Sequence, residues 1–165
     1  MKILGIDPGT ATTGFGVIEA SPKLEFKVIN FGWISTPKEQ ERNKRLKSIY
    51  KQMTGLLEKQ MPEVMAIEQL LFYNNQKTAM RVSEAIGVIR LAAVEKKINI
   101  VEYSPPKIKS VIAKNGRAKK EEMKKAVRKI LSIRSPNKKK THFDDVADAL
   151  GIAVCHAKII YEICP

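Results

Sequence analysis

Residues 2 to 20, KILGIDPGTATTGFGVIEA, decide the fold class, because they combine two apolar strands with a tight turn. The first strand, KILGID, ends on Asp7, and the turn DPGT leads into the second strand, TGFGVIEA. Pro8 followed by Gly9 is typical of the two central positions of such a turn. A third strand, LEFKVINFGWIS, follows after SPK. Connections this short predict an antiparallel meander.

The rest of the sequence alternates helices with strands. After the third strand the apolar period becomes 3.6, which predicts a helix that ends before Pro62. VMAIE is then a short buried strand ending on Glu68, and INIVEYS is a fifth strand. Three helices follow, at PPKIKSVI, KKEEMKKAVRKIL and DDVADALGIAVCHAKIIYEI. The pattern predicts an α/β fold, a five-stranded mixed sheet flanked by helices, in a single domain over residues 1–165.

One further helix lies between the fourth and fifth strands, from about Lys77 to Lys97. Its middle, EAIGVIRLAAV, is apolar over most of the circumference. A helix of this kind is buried on two sides, either in the core or against a second subunit.

The composition indicates a soluble, cytoplasmic protein with no membrane partner. The 165 residues are 44% hydrophobic, which is enough for a sizeable core. No stretch approaches 18 consecutive apolar residues, and the N-terminus is unlike a signal peptide. Cys155 and Cys164 suit neither a disulfide framework nor a CxxC pair. We expect Cys155 in the core and no zinc at Cys155 and His156, since adjacent helical residues point in different directions.

Positive charge is concentrated in one segment. The chain has 30 Lys and Arg against 17 Asp and Glu, a net charge of +13. Residues 107–140 contain 14 basic and two acidic residues, so this segment carries +12 and the rest of the chain +1. Such a segment attracts a polyphosphate backbone through counterion release. A solvated, lysine-rich helix face is the alternative that charge alone leaves open.

Four carboxylates are placed where they can meet. Asp7 ends the first strand and Glu68 the fourth, while Asp145 and Asp148 share one face of the last helix. Catalytic groups collect at adjacent strand ends of open α/β sheets. Oxygen-only ligation favours Mg²⁺ or Mn²⁺, and two such ions can activate water and stabilise the leaving oxygen of a phosphodiester.

Each carboxylate also has a simpler interpretation. Asp7 is an ordinary first residue of a turn, and Glu68 an ordinary charged strand end. Asp144 and Asp145 lie where a helix N-terminus favours negative charge. Asp148, inside the helix among apolar residues, is harder to explain without a function. The combination with the basic segment is therefore stronger evidence than any one residue.

Four segments extend over essentially the whole chain: GIDPGTATTGFGVIE, AIEQLLFYNNQKTAMRVSEAIGVI, YSPPKIKSVIAKNGRAKKEEM and DDVADALGIAVCHA. In this order they resemble the RuvC family of bacterial Holliday junction resolvases, which has a ribonuclease H-like fold. The resemblance implies an endonuclease that nicks two strands of like polarity symmetrically across a four-way junction in DNA recombination and repair. It also implies a homodimer, two Mg²⁺ ions per active site with Mn²⁺ as a substitute, and the branch-migration proteins RuvA and RuvB as partners.

The resemblance further assigns roles to residues. It implies that four carboxylates bind the metal and are catalytic: Asp7, Glu68, Asp145 and Asp148. By position it implies DNA contacts at Lys109 and Lys120, with Lys107, Arg117 and Lys119 as neighbours. The apolar helix from Lys77 to Lys97 becomes the candidate dimer contact.

The sequence departs from the family pattern three residues after Glu68. Family members usually carry an aromatic there, which can stack on bases opened at the junction, whereas this chain has Leu71 followed by Phe72 and Tyr73. Base stacking is worth about 1 to 3 kcal/mol per base. Either leucine or a following aromatic, which can equally be a core residue, is the candidate base wedge.

A second departure precedes the last helix, where Asp144 stands beside Asp145 and His142 lies just ahead. The D-x-x-D spacing assigns Asp145, but Asp144, four residues before Asp148, is also geometrically plausible. His142 can bind a metal or assist a proton transfer.

Other classes of protein share parts of the pattern. DPGTATTG also resembles the phosphate loop of actin-like ATPases and sugar kinases, which need a second domain for which 165 residues leave no room. The RuvX-like group has a similar opening motif but is shorter. A junction-binding or nucleic-acid-binding module without catalysis is the remaining alternative, and the intact carboxylates argue against it.

Overall fold

The structure is a computed structural model that describes residues 1–9, 11–37, 39–70, 76–133 and 143–163. In chain order the elements are β1 (Lys2–Asp7), β2 (Thr12–Ala20), β3 (Phe26–Ser35), α1 (Arg42–Gln60), β4 (Val64–Glu68), α2 (Gln76–Glu95), β5 (Asn99–Tyr103), α3 (Pro105–Ala113), α4 (Lys120–Leu131) and α5 (Phe143–Lys158). A π-helical turn (Ile159–Ile163) continues α5. The predicted elements are therefore confirmed within a few residues. The α1 helix begins at Arg42, after a turn at the end of β3.

The described strands form one mixed sheet in the order β3-β2-β1-β4-β5. The first three are an antiparallel meander, as their short connections require. β1 runs parallel to β4, and β4 parallel to β5, because α1 and α2 provide the crossovers that parallel pairing needs. β1 is thus the central strand, and the carboxyl ends of β1, β4 and β5 lie at one edge.

The sheet separates two hydrophobic clusters, and alternate residues of each strand contribute to opposite ones. On β1, Ile3 belongs to the cluster under α3, α4 and α5, whereas Leu4 and Ile6 belong to the cluster under α1 and α2. On β4, Val64 and Ala66 alternate with Met65 and Ile67 in the same way. Helix α5 is apolar and buried over most of its length, and Cys155 lies fully buried in it, as predicted.

Helix α2 is only partly covered. Ala85, Ile89 and Ala92 are buried against the sheet, but Leu91 is 52% exposed and Val94 62%. Burial on one side agrees with the pattern of the sequence, whereas cover of the second apolar side by another subunit stays a prediction. Within the described ranges, no helix has the length and apolar character needed to cross a membrane.

Candidate active site

Two acidic side chains end neighbouring parallel strands. Ile6 of β1 pairs with Ile67 of β4, and Asp7 and Glu68 are the next residues along their strands. Side chains alternate between the faces of a sheet. Because Ile6 and Ile67 face α1 and α2, Asp7 and Glu68 face α5. Strand pairing therefore places the two carboxylates side by side, on the face that carries the last helix.

Helix α5 brings the other two acids to this point. Asp145 and Asp148 lie in its first two turns, with Val146 and Ala147 buried between them. A Cβ added at Gly14, the β2 partner of Asp7, would lie 2.3 Å from the main-chain oxygen of Asp145. The start of α5 therefore lies directly against β2, next to the end of β1.

Two more glycines allow this close approach along α5. Gly5 pairs with Gly16 across β1 and β2. A Cβ at Gly5 would lie 2.0 Å from the main-chain oxygen of Ala149, and one at Gly16 would lie 2.6 Å from the Leu150 side chain. Real side chains cannot tolerate such distances, so the glycines let the helix pack onto the sheet backbone. The sequence signal was glycine at alternate positions facing one side, and our sequence reasoning missed it.

Three of the acids act electrostatically on the fourth, Asp7. Burial, followed by the charges of Glu68, Asp148 and Asp145, raises the pKa of Asp7 to about 8, while Lys120 opposes the shift. Burial and Asp148 likewise raise the pKa of Glu68, and the Lys109 ammonium opposes that rise. Crowded, partly buried carboxylates are costly unless cations neutralise them.

Two lysines line the cleft between the strand ends and α5. Lys120 Nζ lies 3.4 Å from Asp148 Oδ2 in an ion pair at the start of α4. Lys109 and Lys120 line a cavity of about 190 Å³ together with Glu68 and Asp148. A second cavity, of about 440 Å³, adjoins Glu68 and Lys109 and reaches Pro8. The carboxylates are thus open to solvent on a side that carries positive charge.

The other three residues that are predicted to contact DNA do not line the cleft. Lys107, Arg117 and Lys119 are exposed, and none of them lines the two cavities beside Glu68. The candidate base wedge, Leu71, Phe72 or Tyr73, and the candidate ligand His142 lie outside the described residues. The side chain of Asp144 also lies outside the part that the structure describes.

A hydrogen-bonded pair that sequence reasoning missed lies behind the site. Tyr103 is the β5 partner of Glu68, and its hydroxyl shares a hydrogen bond of 2.7 Å with Nδ1 of His156, which is 6% exposed. Burial raises the pKa of Tyr103 to about 12 and lowers the pKa of His156. His156 lies two turns after Asp148 on α5, on the same face. The bond therefore joins α5 to the strand next to Glu68.

The donor set of the site fits a hard divalent cation. Its ligands would be carboxylate oxygens, which Mg²⁺ and Mn²⁺ prefer, and a cation there would offset the burial and the carboxylate charges that raise the pKa of Asp7. In the conformation described, no three His, Cys, Asp or Glu side chains of the described residues are close enough to enclose an ion. In this conformation Asp148 forms an ion pair with Lys120.

Comparisons with known proteins agree on one family. The family model described as "Crossover junction endodeoxyribonuclease RuvC" matches residues 3–156. A protein of that name from Caldicellulosiruptor saccharolyticus is 42% identical over 166 residues, which is 98% of either chain. Another, from Moorella thermoacetica, is 43% identical over 95% of this chain and 91% of its own.

The fold agrees as well. RuvC from T. thermophilus, solved in complex with a Holliday junction substrate, superimposes with a TM-score of 0.88 and 30% identity, over 98% of this chain and 96% of that one. The yeast mitochondrial Holliday junction resolvase Ydc2 reaches 0.67 at 16% identity over 98% of this chain and 84% of its own, which shows the same fold alone. The α/β fold is thus ribonuclease H-like, as expected from the sequence.

Proposed function

The chain belongs to the RuvC family of crossover junction endodeoxyribonucleases, and we propose that it resolves Holliday junctions by hydrolysing a phosphodiester at the site around Asp7. The observation that carries the proposal is that Glu68, Asp145 and Asp148 lie close enough to Asp7 to act electrostatically on it, where α5 packs against the end of β1. No other role we can assign explains why three acids from β4 and α5 gather around the partly buried Asp7 at the end of β1. The lysines of the adjoining cleft supply the charge that a polyanionic substrate needs.

The four carboxylates are the residues that hold the metal in this proposal. Two Mg²⁺ ions held there, or Mn²⁺ as a substitute, would supply an activated water and charge neutralisation at the leaving oxygen. Asp7 and Glu68 approach from the sheet, whereas Asp145 and Asp148 approach from α5. The distance between the carboxylates of the sheet and those of α5 depends on how closely the helix packs on the sheet. In this proposal the glycines under α5 therefore help to set the geometry of the metal site.

Lys109 and Lys120 orient the substrate. Each lies beside a carboxylate, so each can move from that carboxylate to a phosphate oxygen when DNA binds. Lys107, Arg117 and Lys119 extend the positive surface outward for the flanking DNA. Phe72 and Tyr73 remain our candidates for stacking on bases opened at the junction.

A homodimer completes the proposal. Met80, Leu91 and Val94 are large apolar residues of α2 that are more than half exposed. Gly87 lies between them along the helix, and a Cβ there would meet open space. Two copies joined through this surface present two equivalent sites, as symmetric nicking of two strands of like polarity requires. RuvA and RuvB are the expected partners in branch migration, by family membership.

Cleavage of synthetic DNA tests the proposal. The wild type and Asp145→Asn are incubated with a labelled four-way junction and with a linear duplex of matching sequence, in Mg²⁺, Mn²⁺ or chelator. We expect paired nicks in the junction alone, dependent on metal and lost in the variant while binding persists. Lys125→Gln, an exposed change on α4, serves as the matched control and should cleave normally.

The opposite result is equally clear. If the wild type binds several junction sequences but cleaves none of them with either metal, the enzyme assignment is wrong. The chain is then a junction-binding module of the same fold.

A further inference from the structure

Two aromatic side chains of the edge strand β3 lie half exposed near the candidate active site. Phe31 and Trp33 are each 47% exposed. They are two residues apart, so they share one face of the strand. No strand of the described chain pairs with the outer side of β3.

Strand register shows which face this is. Trp33 pairs with Gly14, and Gly14 pairs with Asp7. Directly paired residues point to the same side of a sheet. Since a Cβ at Gly14 would point at Asp145, the Trp33 indole lies on the α5 side, in one transverse row with Asp7. Two strand spacings separate Trp33 from Asp7, which is roughly 10 Å.

On β2, the residues paired with these two aromatics are glycines, which have no side chains. Phe31 pairs with Gly16, as Trp33 does with Gly14, and the space at both glycines is taken by α5. The two aromatics therefore flank the helix at the rim of the sheet, on the opposite side of it from Glu68. The half-exposed parts of these two rings form an aromatic surface beside the cluster of acids.

We propose that Phe31 and Trp33 form a stacking site for nucleotides of the DNA strand beside the scissile phosphate, an inference that rests on the proposed function. An aromatic ring stacks on any base and so tolerates different sequences. The distance of roughly 10 Å corresponds to about three nucleotide steps of 3.4 Å. The two aromatics belong to β3, whereas the candidate wedge follows β4 in the sequence, and β3 and β4 lie on opposite sides of β1.

The position favours DNA over a protein as the occupant. A protein bound over Trp33 would stand roughly 10 Å from Asp7 and would obstruct the substrate. Positive charge is concentrated in residues 107–140, so what the β3 rim offers to DNA is the stacking surface of its two rings. DNA bound at Asp7, by contrast, must continue past one rim of the sheet or the other.

The tryptophan itself provides the test, because Trp33 is the only tryptophan in the sequence. Its fluorescence is followed while a four-way junction is added to the wild-type protein in chelator, which keeps the DNA intact. We expect strong quenching and protection from acrylamide at the same DNA concentrations that shift the protein in a gel. Unchanged emission and unchanged acrylamide access in a complex seen by gel shift would overturn the stacking site but not the proposed function.

Variants give an independent measurement. Trp33→Ala and Phe31→Ala should each weaken junction binding by about 5-fold to 100-fold, and Trp33→Phe should restore most of it. Ile29→Ala is the matched control, because Ile29 is 36% exposed on the same strand but lies where the register shifts, outside the rows backed by Gly14 and Gly16. Equal losses in Ile29→Ala and Trp33→Ala would contradict the inference. A second outcome would also contradict the inference. If Trp33 emission changes with protein concentration in the absence of DNA, and the junction then has no effect on it, a second copy of the protein covers this surface.

Discussion

Gly14 and Asp145 are in backbone contact: a Cβ at Gly14 would lie 2.3 Å from the main-chain oxygen of Asp145 and 3.0 Å from its Cβ. Gly14 is also the strand partner of Asp7. One glycine thus sets how closely the acid at the start of α5 approaches the acid at the end of β1. Metal-dependent catalysis in the proposed site depends on this spacing.

We predict that Gly14→Ala displaces the start of α5. The clash is with backbone, so the protein should lose about 1 to 3 kcal/mol of stability. A shift of about 1 Å in a catalytic group can lower turnover about 100-fold. Thermal unfolding and junction cleavage measure the two effects. Gly55→Ala on α1, where a Cβ meets open space, should instead gain about 0.5 to 1 kcal/mol and cleave normally.

We predict that Asp7→Asn stabilises the protein while it abolishes cleavage. The pKa of Asp7, raised from 3.8 to about 8, means that the folded protein binds this proton more tightly than the unfolded chain does. Stability is therefore lost as the pH rises from about 4 to about 8. In chelator, the melting temperature of the variant should be higher than that of the wild type. The difference should be small near pH 4 and largest at pH 8. A difference that stays constant with pH would contradict the shift.

We predict that Lys120→Gln weakens junction binding through a lost phosphate contact. The dependence of log K on log salt should become shallower by about one unit. Lys125→Gln removes the same charge from the same helix, at an exposed position away from Asp148, and should leave the slope almost unchanged. Filter binding over a range of NaCl concentrations measures both slopes. Equal effects would indicate that net charge, not the position of Lys120, matters.

We predict that Tyr103→Phe destabilises α5 against β5. The change leaves Nδ1 of buried His156 without its 2.7 Å partner, which costs about 1 to 3 kcal/mol. The melting temperature should fall by about 2 to 4 °C per kcal/mol. Tyr161→Phe is the control, since its hydroxyl makes no hydrogen bond to other described residues. If both variants melt alike, the hydrogen bond is not stabilising.

We predict that Leu91→Glu separates the proposed dimer. A charge in the middle of the exposed α2 surface cannot be buried without a large cost. Sedimentation should show a monomer, and the two nicks in one junction should become uncoupled. Met61→Glu, which changes an apolar residue that is 72% exposed beyond the end of α1, should remain a dimer. A monomeric wild type would contradict the proposal from the outset.

The sequence alone determined much of the fold. Apolar periods placed all five strands and the helices, since period and turn residues are local properties. The sequence also indicated that Asp7, Glu68, Asp145 and Asp148 can meet, because positions at strand ends and on one helix face follow from local structure, but their catalytic and metal-binding roles stay predictions. The single domain over residues 1–165 stays a prediction, as do the roles of Phe72, Tyr73 and His142.

Only the tertiary structure decided how these parts meet. Gly5, Gly14 and Gly16 lie under α5 because this helix covers their face of the sheet. The alternation of residues along a strand does not tell which helix covers which face. The Tyr103 bond to His156 joins residues 53 apart in sequence, and the row from Asp7 to Trp33 crosses three strands. Local sequence patterns predict the strands and helices, but the distances between side chains of different elements are set by packing. The pKa of Asp7 was therefore invisible in the sequence, because burial and neighbouring charges produce it.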